Sequence, residues 1–68
     1  MNQQIAIDKL KENVQLSIRD TENLVKDLNE KLSINDPFCS TWFSYFSTKV
    51  KVDDQLRILQ ELNNALNH

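Results

Sequence analysis

Ile34-Asn35-Asp36-Pro37 is the one stretch of this 68-residue chain whose chemistry favours a turn. Asp is a good N-cap, and Pro suits the first position of a helix, where its missing N–H would have no intrahelical partner in any case. Proline also drives the residue before it out of the helical region, as a cap requires. The reading places a turn at 34–36, with one helix ending before it and a second starting at Pro37.

On the N-terminal side of that turn, Ile7, Leu10, Val14, Ile18, Thr21, Val25, Leu28 and Leu32 recur at steps of three and four, the spacing that lines one face of a helix. A helix over about 3–33 follows, with Leu24 widening its stripe. On the C-terminal side Phe38, Trp42, Tyr45, Val52, Leu56, Leu59, Leu62 and Leu66 carry a second stripe over about 37–67, interrupted by Lys49 and Asn63. Two helices of equal length joined by a short connection must lie side by side and antiparallel. The expected fold is all-α: a coiled-coil-like two-helix hairpin forming a single domain over 1–68. Its weak point is Thr48-Lys49-Val50-Lys51-Val52, where β-branched residues are poor helix formers and Asp53 or Asp54 would cap a separate third helix. A kink or break near 48–54 is the alternative to one continuous second helix.

Composition supports helices and narrows the chemistry. Gly is absent and Pro occurs once, which removes the residues that build β-turns, bulges and phosphate-cradling loops. The chain is 40% hydrophobic and 26% charged, too apolar for a disordered tail. So short a chain struggles to bury enough surface to offset its lost conformational entropy, and disulfides, a metal or association are the usual remedies. Cys39 is the only cysteine and His68 the only histidine, so neither a disulfide nor a Cys/His ligand cluster is expected, and no cofactor is implied. Association is the remedy left.

Eight basic and ten acidic residues are scattered without a basic cluster, which argues against nucleic acid as a partner. The opening MNQQIAIDKLKE lacks a basic start followed by an apolar stretch, and no apolar run approaches about 18 residues, so the expectation is a cytoplasmic chain without membrane insertion. Catalysis is not expected. Asp53 and Asp54 are neighbours, which a helix points about 100° apart, and a two-helix fold offers no concave small-molecule site.

The expected functional feature lies just after the turn. All five aromatic residues fall between Phe38 and Phe46, and beside the Phe38, Trp42, Tyr45 line runs a second line of Cys39, Phe43, Phe46 and Val50. One neighbouring helix covers only one of these lines, and aromatic side chains dominate interface energetics. Cys39, Trp42, Phe43, Phe46 and Val50 are the expected partner-binding residues. The competing reading makes them a wide private core against the first helix. Cys39 sits near a helix start but has neither a resolving cysteine nor a histidine base, so it reads as a buried small apolar residue.

The whole pattern resembles the small hairpin co-chaperones that, with a helical-repeat chaperone, hold the needle subunit of bacterial type III secretion systems before export. The likeness rests on chain length, two matched helices, the Asn35-Asp36-Pro37 turn, Trp42 in the first turns of the second helix, and the tail Leu56, Leu59, Leu62, Ala65, Leu66. It implies a cytoplasmic protein that packs on the repeat chaperone and keeps the needle subunit soluble. Two other readings stay open. One is a homodimeric four-helix bundle that associates through the same residues and regulates or inhibits a host protein; the other is a structural subunit of a cytoplasmic assembly.

Overall fold

A computed structural model describes residues 2–68 as two helices, α1 (Asn2–Ile34) and α2 (Ser40–Leu66), packed against one another as a hairpin. The molecule is a rod of 55 × 14 × 14 Å. The 33 residues of α1 at 1.5 Å per residue account for about 50 Å of that length, and the turn and chain ends for the rest.

Between the helices the side chains turned inward follow a seven-residue repeat. Positions 11, 14, 18, 21, 25, 28, 32 and 35 on one side, and 42, 45, 49, 52, 56, 59, 63 and 66 on the other, are all buried or half-buried. The steps alternate strictly between three and four, the period of paired helices rather than of an isolated one. This corrects the expected stripes at their edges. Lys49 and Asn63 occupy inner positions instead of interrupting the stripe, while Leu62, Leu10 and Ile7 lie on exposed rims. Val14, Leu28 and Val52 form the buried centre, joined by Thr21, whose hydroxyl donates to the Ser17 carbonyl at 2.6 Å. Burying a side chain of this size stabilises by about 1.5–3 kcal/mol. Among the described residues no large side chain is sealed completely, so the hairpin's own core is thin.

The turn lies where expected, but α2 begins later. The connection spans residues 35–39 rather than 34–36, and α2 starts at Ser40 instead of Pro37. Asp36 does not cap the helix. Its Oδ1 accepts the Phe38 N–H at 3.0 Å and its carbonyl accepts the Cys39 N–H at 2.9 Å, closing a tight turn on itself. Cys39 is then extended (φ −91°, ψ 143°) and becomes the N-cap, its carbonyl accepting from the N–H groups of Trp42 and Phe43. The extended residue interrupts any helix begun at Pro37 and leaves Phe38 outside both helices. Asp36→Ala should cost about 0.5–1 kcal/mol in a urea melt, the worth of one exposed turn hydrogen bond. A loss beyond about 2 kcal/mol would contradict this account.

The C-terminal end of α1 is tied down by side chains. Asn35 donates its backbone N–H (3.2 Å) and its Nδ2 (2.7 Å) to the Lys31 carbonyl, and the Trp42 Nε1–H donates to the Leu32 carbonyl at 3.0 Å. Two of the carbonyls that a helix end leaves without partners are thereby satisfied. The indole bond also fixes α2 to α1 beside the turn. Lys31, paired with Asp27 at 3.2 Å, lies 5.7 Å from the Tyr45 ring centroid and adds a second link between the helices.

No break occurs at 48–54, because α2 runs unbroken through it. Val52 is buried, which outweighs propensity penalties of a few tenths of a kcal/mol per β-branched residue. Thr48 returns its hydroxyl to the Ser44 carbonyl at 2.9 Å. Asp53 and Asp54 cap nothing; they pair with Lys49 (3.0 Å) and Arg57 (2.7 Å) along the helix.

Candidate partner-binding surface

The first turns of α2 carry Phe43, Phe46 and Val50 on a flank that α1 does not cover. Residues 43, 46 and 50 follow one another at steps of three and four, so their side chains stack along the helix as neighbours. Phe43 is 58% exposed, Phe46 44% and Val50 53%, and together they make a ridge beside the inner stripe. Cys39, expected to be buried, is instead exposed at the loop end of the same line, because it caps the helix from the turn and α1 ends before it.

Trp42 differs from the other four. It is half-buried, its indole N–H is committed to α1, and its ring forms the floor of the ridge. Phe46 stacks on it with centroids 5.2 Å apart and planes 10° from parallel, while Phe43 meets it edge-on at 5.5 Å and 88°. Offset and edge-on aromatic pairs add about 0.5–1.5 kcal/mol beyond their burial. The ridge is therefore held in shape by the hydrogen bond that closes the hairpin.

Two further residues join this end of the molecule. Phe38, expected in the inner stripe, is 93% exposed on the turn, and Ile34 at the end of α1 is 80% exposed. A helix begun at Pro37 would turn Phe38 inward, whereas the extended backbone at Cys39 leaves it on the loop. Its position directly after a proline turn was the signal that it belonged to the loop. Five large apolar side chains thus stand out from 34–50, at one end of the rod.

Beyond Val50 the same line turns polar, through Asp53, Arg57, Gln60, Asn64 and Asn67. On the remaining surface Ile5, Leu16 and Leu24 of α1 and Ile58 of α2 are also exposed, as scattered apolar side chains ordinarily are. The backbone N–H and hydroxyl of Thr41, near the sulfur without closing a cap hydrogen bond, favour the Cys39 thiolate and hold that thiol below its ordinary range.

A depression of about 540 Å³ elsewhere, lined by Val25, Asn29, Ser33 and Leu56 among others, includes none of the ridge residues. No group of three or more His, Cys, Asp or Glu among the described residues is placed to hold a metal ion, and neither helix is long and apolar enough to cross a membrane. An exposed apolar ridge of this kind suits recognition by a complementary apolar surface. Comparison with known proteins finds no family model, no curated protein and no solved structure that matches this chain.

Proposed function

We propose that this hairpin is a protein-binding module that acts without catalysis, seating its loop-end aromatic ridge in an apolar groove of a helical partner. The observation that supports it is the concentration of exposed Ile34, Phe38, Phe43, Phe46 and Val50 at one end of a rod whose own core is thin. A contiguous exposed apolar patch usually marks an interaction site, and aromatic anchors supply most of the binding energy. The resemblance to needle-subunit co-chaperones specifies the partner as a helical-repeat chaperone in the cytoplasm. The hairpin would add a helical layer to that chaperone and so help keep the needle subunit soluble.

The test is co-expression with a type III needle subunit and its helical-repeat chaperone. A stable ternary complex is expected, and Phe43→Ser/Phe46→Ser should weaken it by at least about 100-fold, the effect of losing two anchors worth roughly 1.5–2 kcal/mol each. Failure of the folded hairpin to join the complex would remove this partner.

A further inference from the structure

We propose that in the absence of a partner the aromatic ridge is covered by a second copy of this chain, packed with both loops at the same end about a two-fold axis parallel to the rod, so that self-association and partner capture compete for one surface. This rests on the reading of the ridge as a binding surface, and it adds the state in which that surface is kept.

Area makes the first part of the case. A folded chain of 8.0 kDa exposes about 4,450 Å² by the scaling for compact monomers, whereas this hairpin exposes 5398 Å². The excess, about 950 Å², is close to the roughly 800 Å² that each partner contributes to a standard interface. Two hairpins side by side make a four-helix bundle, which is the ordinary way for such a rod to lose that excess.

The pattern along α2 selects the orientation. Cys39, Phe43, Phe46 and Val50 occupy the loop-proximal half of the line, and Asp53, Arg57, Gln60, Asn64 and Asn67 the distal half. With the loops at opposite ends, the aromatic groups would lie over the Gln and Asn side chains. With the loops together, aromatic meets aromatic, and the arrangement is isologous, each patch covering its own copy. The charges permit this. Asp53 and Arg57 are one helical turn apart on the line and opposite in sign, so an axis parallel to the rod, which keeps like residues level, brings together a group with no net charge, and reversing either sign in both copies makes that group repulsive. A net charge of −2 offers little self-repulsion.

The experiment is sedimentation equilibrium of the full chain at micromolar concentrations, together with thiol cross-linking. A dimer is expected that a short bismaleimide joins through Cys39 of both copies. Mixing it with a Cys39→Ser/Asn67→Cys chain should give no cross-link between the two kinds of chain. Phe43→Ser/Phe46→Ser should leave a helical monomer. Should that variant lose its helices, exposed charges provide a second route. An Arg57→Asp chain and an Asp53→Arg chain should each dimerise at least about tenfold more weakly than the parent, yet pair with one another. A monomer throughout the range, cross-links only between Cys39 and the Asn67→Cys site, or charge variants that dimerise like the parent would each overturn the proposal. Titrating in the helical-repeat chaperone separates the two ideas. A monomer that binds it through the ridge ends the dimer and leaves the function standing; a dimer it fails to dissociate ends that function and leaves the dimer standing.

Discussion

Trp42→Ala is expected to destabilise the hairpin by about 3 kcal/mol, the low end of the range for truncating a buried Trp, because the side chain is only half-buried. Three losses combine: the apolar contact between the helices, the stack on Phe46, and the Nε1–H bond to the Leu32 carbonyl. The last leaves a helix-terminal carbonyl without its partner, which costs more than the bond contributes when made. A chain of this length has about 3–10 kcal/mol in total, so the loss takes between about a third of the stability and all of it. Trp42→Phe keeps most of the apolar contact and drops the hydrogen bond, and should cost about 1 kcal/mol. Urea melts followed by circular dichroism, at one fixed chain concentration, measure both. A Trp42→Ala chain within about 0.5 kcal/mol of the parent would show that the indole does not clasp the helices.

Lys49→Leu acts in the opposite direction. Lys49 stands at an inner position between Tyr45 and Val52, in the stripe that faces α1. Leucine there should stabilise by about 1 kcal/mol, less than a full Leu burial because the lysine stem already covers apolar surface. The ion pair lost is with Asp53, which is partly exposed, and such i,i+4 pairs contribute only about 0.3–0.5 kcal/mol. A polar residue at such a position fixes alignment at a cost in stability. The stabilised variant should therefore also populate higher oligomers in sedimentation. Lower stability than the parent would place Lys49 outside the stripe.

Both substitutions fall where pattern reading and structure part company, and for physical reasons. The hairpin was legible because apolar residues recur at helical steps on both sides of a turn that only Asn35-Asp36-Pro37 could make. The start of α2 was not, since Asp followed by Pro serves equally as a helix cap and as a tight turn, and the carboxylate accepts the N–H two residues on in both; what differs is the backbone at Cys39, which turns extended instead of continuing helical. Lys49 and Asn63 were read as interruptions because a hydrophobic stripe is judged by side-chain type; the three-four spacing alone assigned them inside. The break suggested by Thr48, Val50 and Val52 reflects local propensity, and burial of Val52 overrides it. Of the candidate surface, Phe43, Phe46 and Val50 followed from the wheel, because a second apolar line has nowhere to go in a two-helix fold. Ile34 and Phe38 did not, since their exposure depends on the path of the loop.

Trp42 is the only indole in the chain, and it lies at the junction of the two events that matter to this molecule. One side of its environment is the Leu32 carbonyl, lost when the helices part, and the other is the Phe46 ring, desolvated when the ridge is covered. Its fluorescence is therefore an intrinsic reporter of both unfolding and docking. Opening the clasp moves the indole into water and covering the ridge takes water away, so the two events displace its emission in opposite directions without any added label.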